Sequence, residues 1–166
     1  MFGEVEARTA GRVRENWERI KTEQEGREGI FHHVPENLPA LLYARKLQRR
    51  AAAIDFDYPD AAGALTDLDD ELRELREALA DAGENRAERE PDPHVFEEVG
   101  DVLFATVNVA RRLNVDPELA LRTMATRFAD RVKRAEELSA ADGRAFTKLT
   151  LEEKDRYFDA AKKDFR

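Results

Sequence analysis

Apolar residues recur at helical spacing along almost the whole chain. Ala10, Val13, Trp17 and Ile20 form one such stripe, which predicts a first helix over roughly residues 4 to 27. No stretch shows the alternation of apolar and polar residues that is typical of a half-buried strand. The predicted fold class is therefore all-α.

Two further helices are separated by a break in this pattern. Asn37 and Pro39 predict the start of a helix, as N-cap and first-turn residues, that continues through LLYARKLQRRAAA. The segment IDFDYPD then interrupts the periodicity with aromatic residues, aspartates and a proline, which predicts an ordered loop. Leucines at 65, 68, 72, 75 and 79 predict the next helix, over roughly residues 60 to 81, with an apolar seam for a core or a bundle.

The remaining helices each open with a capping signal. The charged segment GENRAEREPD has no apolar face and is predicted to be a connector. The capping signals that follow it are the Asp-Pro pairs at 92–93 and 116–117 and a Thr150/Glu153 capping box. The first of these helices is predicted to end near Leu113, and the second at Asp142-Gly143.

Composition narrows the class of protein. The chain has 166 residues, a net charge of −8 and no cysteine. This length suits a single domain, residues 1–166, with its own core. The absence of cysteine excludes a disulfide framework and thiolate chemistry, and it fits a reducing cytoplasm. No apolar run could span a bilayer and there is no basic excess, so we expect neither a membrane nor a nucleic acid as partner.

The helix that contains FEEVGDVLFA has a broad apolar face and is predicted to be largely buried, yet three acids stand at its head. Glu97, Glu98 and Asp101 occupy positions where a buried helix would carry apolar residues. Glu98 and Asp101 are three residues apart, so they are neighbours on a line along the edge of the apolar face, and Asn108 lies further along that line. Gly100 costs about 1 kcal/mol relative to alanine in a helix and predicts close packing at that point.

A second acid pair lies in the segment DDELREL, where Glu71 and Glu74 are also three residues apart. If the leucine seam packs against the valines of the next helix, both pairs border one interface. Four converging carboxylates would repel one another, and a divalent cation would relieve this repulsion. Oxygen ligands without cysteine or histidine indicate Mg²⁺ or Mn²⁺.

A non-catalytic interpretation accounts for the same acids. Carboxylates in the first turns of a helix complement its dipole, and acid pairs are common on solvated helix faces. The protein would then be a helical adaptor that dimerises through its leucine seam. A carboxylate-bridged di-iron bundle is a further alternative, but it requires Glu-x-x-His, and neither acid pair has a histidine three residues on.

The segments DDELREL and EEVGDVLFATVNVARRL, preceded by NLPALLYARKLQRRAAAIDFDYP, resemble the signature of MazG nucleoside triphosphate pyrophosphohydrolases. The resemblance covers almost the whole chain and is closest to the C-terminal half of two-domain members. It implies an all-α, dimeric helical bundle and magnesium-dependent cleavage of nucleoside triphosphates to a monophosphate and pyrophosphate. The metal ligands that it implies are Glu71, Glu74, Glu98 and Asp101.

The resemblance also implies a set of substrate-binding residues: Asn108, Arg127, Arg131, Phe158 and Lys162. Three positions depart from the family pattern. His94 and Arg127 stand where a lysine is frequent, and Phe158 replaces a frequent tryptophan. These departures leave two specificities open, a broad one suited to house-cleaning of the nucleotide pool and a narrow one for a single deoxynucleotide. The wide apolar arcs of the third and fourth helices, with Phe104 on the side away from the acids, predict a homodimer.

Overall fold

The computed structural model describes residues 29–32, 34–82 and 92–165, and within these ranges every regular element is helical. The all-α prediction is confirmed for this part of the chain. The elements are α1 (Ala40–Ala52), α2 (Ala61–Asp81), α3 (Pro93–Arg112), α4 (Pro117–Ala141) and α5 (Leu151–Lys162), with 3₁₀ turns at Phe146–Lys148 and Lys163–Phe165. The helix predicted over roughly residues 4 to 27 and most of the charged connector lie outside the described residues.

The chain divides into two compact units, Met1–Glu118 and Leu119–Arg166. The single domain over residues 1–166 stays a prediction. Among the helices that the structure describes, none combines the length and the apolar character needed to span a membrane.

The starts of α2 and α3 follow from their capping residues. The Asp60 carboxylate accepts a hydrogen bond from the backbone N–H of Gly63 at 2.9 Å. The Asp92 carboxylate accepts from the N–H groups of His94 and Val95, with Pro93 in the first turn, as the sequence predicts. These side chains satisfy donors that have no partner within the helix, which fixes where each helix begins.

The predicted cap of α1 is wrong. The N-cap residue is Pro39 rather than Asn37, and no side chain caps this helix. A proline disfavours helical backbone angles in the residue before it, so Leu38 resists joining the helix. The helix therefore begins only after Pro39, whose carbonyl accepts from the Tyr43 N–H at 2.9 Å.

Small side chains form the core of the first unit. Helices α2 and α3 pack along each other, and α1 packs against α3. The buried apolar residues at these contacts are Ala64 and Ala78 on α2 and Ala105 and Val107 on α3. Because these side chains are short, the helix backbones approach closely and polar groups on neighbouring helices come within reach of one another.

The prediction that α3 is largely buried is wrong for the single chain. Phe96 is 71 % exposed and Leu103 is 53 % exposed, and Val99 on the same face is also open to solvent. A Cβ at Gly100 would meet no atom within 4 Å, so the close packing predicted there is not made within the chain. Ala105 and Val107 are buried and Val95 and Val102 are half-buried, whereas the part of the apolar face around Phe96, Val99 and Leu103 stays open within the described part of the chain.

The IDFDYPD segment forms the predicted loop and is held by a buried ion cluster. The Asp57 carboxylate accepts hydrogen bonds from the guanidinium groups of Arg111 and Arg112 at the end of α3. Arg112 also donates to the Pro59 carbonyl at 2.7 Å. Arg111 and Asp57 are both largely buried. Removing one member of such a pair costs about 3–5 kcal/mol because the other charge is left buried, so this cluster fixes the loop on α3.

In the second unit, α4 ends and α5 begins where the sequence predicts. Gly143 follows α4 with a φ of 74°, a conformation that glycine adopts without strain. Thr150 and Glu153 form the predicted capping box of α5, and Glu153 also accepts from the Arg144 guanidinium. Arg144 first, and then the Thr150 backbone N–H, lower the pKa of Glu153 to about 2.

This depressed pKa predicts a pH dependence of stability. The unfolded chain binds a proton at Glu153 near its ordinary pKa of 4.5, whereas the folded chain does so near 2. The contribution of Glu153 to the free energy of unfolding is therefore complete above about pH 4.5 and is lost as the pH falls towards about 2. We expect the stability difference between the wild type and Glu153→Gln to shrink over this range, measured by urea unfolding with circular dichroism.

Glu152→Gln is the matched control, because Glu152 lies in the same first turn and, within the described part of the chain, its ion pair is with the exposed Arg156. Its stability difference from the wild type should change much less with pH. If the free energies of unfolding of the wild type and Glu153→Gln differ by the same amount at about pH 6 and about pH 3, the hydrogen bonds assigned to Glu153 from Arg144 and Thr150 would be contradicted.

Candidate metal centre

Helices α2 and α3 bring three of the four predicted ligands together. Glu71, Glu74 and Glu98 each offer one carboxylate oxygen, and these three oxygens lie within 4.8 Å of one another. Glu71 and Glu74 are one turn apart on α2, and Glu98 reaches them from α3 because the two helices pack side by side. The predicted meeting of the two acid pairs is thus observed for these three residues.

Asp101 is not part of this three-oxygen group and is exposed to solvent. It nevertheless acts on the group electrostatically. Burial is the largest cause that raises the pKa of Glu71, and the charge of Asp101 is the next, followed by that of Glu74. Both effects disfavour an ionised carboxylate, as expected when several acids share one site.

Glu98 is the most buried member of the group, at 8 % exposure. Its Oε1 lies 3.2 Å from Nδ1 of His94, one turn earlier on α3. Its Oε2 is buried and has no hydrogen-bond partner among the described residues. Leaving a buried carboxylate oxygen without a partner costs free energy, and a cation at this point would supply the missing interaction.

These observations fit a hard divalent cation. The clustered donor atoms are all carboxylate oxygens, which suit Mg²⁺ or Mn²⁺ better than softer metals. The mutual repulsion at Glu71 and the unpartnered Oε2 of Glu98 are both relieved by positive charge. Glu74 also contacts Arg73 at 3.1 Å, on the exposed side of α2.

A tyrosine and an aspartate that the sequence analysis missed lie next to this cluster. Asp67 is one turn before Glu71 on α2, and its Oδ1 accepts a hydrogen bond from the Tyr58 hydroxyl at 2.6 Å. This hydrogen bond is the main cause that raises the pKa of Tyr58 to about 12. The spacing of Asp67, Glu71 and Glu74 already places all three on one line of the helix, so the sequence held a signal for Asp67.

A cavity of about 500 Å³ opens beside the same helices in the first unit. Its walls come from α1, the loop after α1, the start of α2 and α3. Asn108, one of the predicted substrate-binding residues, is part of the wall, as are Gln48 and Tyr58, which the sequence analysis did not select.

The other predicted substrate-binding residues lie in the second unit: Arg127, Arg131, Phe158 and Lys162. Lys162 Nζ lies 5.0 Å from the centre of the Phe158 ring and also donates to Asp159 at 2.7 Å. The Phe158 ring packs against Phe128 with ring centres 5.7 Å apart. Nε of Arg131 is buried and has no hydrogen-bond partner in the described part of the chain. That these residues face the phosphates and the base stays a prediction.

Comparison with known proteins identifies relatives of the chain. No family model matches it. The nucleoside triphosphate pyrophosphohydrolase/pyrophosphatase MazG of Thermotoga maritima is 38 % identical over 149 residues, which cover 88 % of this chain and 54 % of that protein. A nucleoside triphosphate pyrophosphohydrolase of Escherichia coli K12 is 33 % identical over 159 residues, covering 92 % of this chain and 57 % of that protein. An uncharacterized protein of Bacillus subtilis, YabN, is 32 % identical over 169 residues, which cover 100 % of this chain and 33 % of that protein.

The fold and the site define an all-α protein whose paired helices carry a carboxylate cluster suited to a divalent cation. Over most of its length the chain is similar to proteins named MazG or nucleoside triphosphate pyrophosphohydrolase, so the resemblance found in its sequence is confirmed. The chain spans about half the length of these relatives from T. maritima and E. coli.

Proposed function

We propose that the protein hydrolyses nucleoside triphosphates, ribo or deoxy, between the α and β phosphorus, releasing a nucleoside monophosphate and pyrophosphate. The observation that carries this proposal is the convergence of Glu71, Glu74 and Glu98, with the unpartnered buried oxygen of Glu98. The names of the relatives from T. maritima and E. coli describe the same activity for those proteins.

In this proposal Glu71, Glu74, Glu98 and Asp101 hold Mg²⁺, for which Mn²⁺ can substitute. When bound, the ion would offset phosphate charge and lower the pKa of a coordinated water. A carboxylate of the cluster that is not engaged in ligation takes the proton of the attacking water. The rigidity of α2 and α3 keeps these side chains in place during the reaction, which a mobile loop would not do.

The family resemblance also implies substrate-binding roles for residues of the second unit. Arg127, Arg131 and Lys162 neutralise the charge that develops on the departing pyrophosphate. Phe158 is the remaining residue to which the resemblance gives a substrate-binding role. A broad substrate range is proposed over a narrow one for a single deoxynucleotide.

The proposed homodimer rests on the open apolar face of α3. Phe96, Val99 and Leu103 lie at helical spacing on one side of this helix and are all exposed. Gly100, beside them, leaves space for another helix to approach closely. A second copy of the chain would cover this face in a symmetric contact.

The first test is product identity. With Mg²⁺ and a panel of ribo- and deoxynucleoside triphosphates, we expect monophosphate and pyrophosphate, separated by anion-exchange chromatography, and no hydrolysis in EDTA. A diphosphate accompanied by orthophosphate would contradict the cleavage site, and activity that survives EDTA would contradict the metal. The helical-adaptor interpretation, which the open face of α3 also suits, predicts no hydrolysis at all.

The second test is Asp101→Asn. This isosteric change removes one charge from the acid cluster, so hydrolysis should fall by roughly 100-fold or more. The metal-free protein should unfold at the same or a higher temperature, because the charge of Asp101 repels that of Glu71. The rise in melting temperature on adding Mg²⁺ should shrink, because that rise measures binding to the folded state.

Glu97→Gln provides the control for this variant. Glu97 is an exposed acid on the same helix and is not part of the three-oxygen group, so its activity and magnesium response should match the wild type. An active Asp101→Asn protein with an unchanged magnesium response would remove Asp101 from the site.

The third test concerns the dimer. Light scattering at micromolar concentration should give twice the mass of the chain for the wild type. The double variant Phe96→Glu/Leu103→Glu should be monomeric, since it places charges on an apolar contact. Leu151→Glu changes an exposed leucine in the second unit and should leave the dimer intact. A monomeric wild type would contradict the proposal.

A further inference from the structure

The cavity of the first unit contains two side-chain amides whose orientations are fixed by their neighbours. An amide presents a hydrogen-bond donor on one side and an acceptor on the other, so fixing one side determines what the other offers. Asn108 on α3 and Gln48 on α1 both line this cavity. In Asn108 the amide oxygen is bound by its neighbours, whereas in Gln48 it is the amide nitrogen.

Asn108 is held as a donor towards the cavity. Its Oδ1 accepts hydrogen bonds from Nε and Nη2 of Arg111, at 3.0 and 2.7 Å. A guanidinium can only donate, so the amide oxygen must face Arg111 and the NH₂ group must face away. Arg111 is itself held by Asp57. Nδ2 of Asn108 makes no hydrogen bond to the part of the chain that the structure describes.

Gln48 is held in the opposite sense. Its Nε2 donates to the backbone carbonyl of Phe104 at 2.8 Å, and a carbonyl can only accept, so the amide nitrogen must face α3. The Oε1 atom is left as an acceptor. Gln48 is only 6 % exposed, and this oxygen has no partner among the described residues. A buried acceptor without a donor is costly, and a ligand that supplies the donor recovers that cost.

The rest of the wall suits a flat ring. Phe31, Phe56, Tyr58 and Phe104 contribute aromatic side chains to it. Asn108 lies seven positions after Asp101 on α3, which corresponds to roughly 10 Å along the helix axis. A ligand with its phosphates at the acid cluster therefore has its ring within reach of this cavity when a sugar joins the two.

The geometry points to this cavity as the site for the nucleobase, with Gln48 Oε1 accepting from the base and Asn108 Nδ2 donating to it. This assignment rests on the proposed function. It requires a ring edge with a donor beside an acceptor, such as the exocyclic amine and adjacent ring nitrogen of adenine and cytosine. Uracil and guanine present the reverse order, a carbonyl oxygen in place of the amine and a ring N–H in place of the ring acceptor, so the two fixed amides favour adenine and cytosine over them.

Substrate analogues that lack one group of this edge test the assignment. Purine riboside triphosphate is ATP without its amine, and the 4-unsubstituted 2-pyrimidinone riboside triphosphate is CTP without its amine. For the wild type, we expect KM to be about tenfold higher for each analogue than for its parent, with kcat little changed. In Gln48→Met, which keeps the side-chain size but has no acceptor, parent and analogue should have equal KM.

The 1-deaza analogue of ATP keeps the amine and lacks the ring acceptor, so it tests Asn108. In the wild type, KM should be higher for this analogue than for ATP. This difference in KM should disappear in Asn108→Leu and persist in Gln48→Met. Leu47→Met changes an apolar residue of the same wall and should leave every parent-to-analogue ratio as in the wild type. Melting temperatures verify that each variant is folded.

Calorimetric binding of AMP and purine riboside monophosphate separates this assignment from the proposed reaction. If the wild type hydrolyses no triphosphate, the proposed function fails. The base site still stands if AMP binds more tightly than its analogue and Gln48→Met abolishes that difference. Equal binding of AMP and its analogue by the wild type, or a difference that persists in Gln48→Met, would overturn the assignment.

Discussion

The close approach of α2 and α3 over small buried side chains is the constraint on which the first unit depends. Ala64 and Ala78 on one helix and Ala105 on the other let the backbones come together without large side chains between them. Glutamate side chains from both helices then reach the same small volume. A rigid helix fixes the angular position of each residue, so a spacing of three is enough to keep Glu71 and Glu74 aimed at Glu98.

The negative charges of the clustered acids lower the stability of the folded protein. Burial and neighbouring acids raise the pKa of Glu71, and Glu98 keeps a buried oxygen without a partner, so the cluster opposes folding in the absence of positive charge. Functional sites commonly carry such local costs because the same groups are needed for ligands. The Asp57 ion cluster and the Tyr58 hydrogen bond to Asp67 stabilise the structure next to it.

The sequence predicted the features that depend on local periodicity and capping. These features are the helix start near residue 60, the cap at Asp92 and the alignment of the acids along their helices, which all follow from neighbours a few positions apart. The exposure of Phe96 was not predictable, because periodicity identifies an apolar face but not what covers it. Contacts between distant positions were also missed, and the hydrogen bond from Gln48 to Phe104 spans 56 positions. Periodicity carries no information about such pairs.

The loop after α1 has a consequence for how this protein can change in evolution. Through Asp57 it is bound to the end of α3, and through Tyr58 it is bound to Asp67 on α2. The loop thus links the two acid-bearing helices and helps to fix their positions relative to each other, although it is not the segment that joins them along the chain. Asp57 and Tyr58 are therefore constrained by the alignment of the acids, although neither residue belongs to the three-oxygen group.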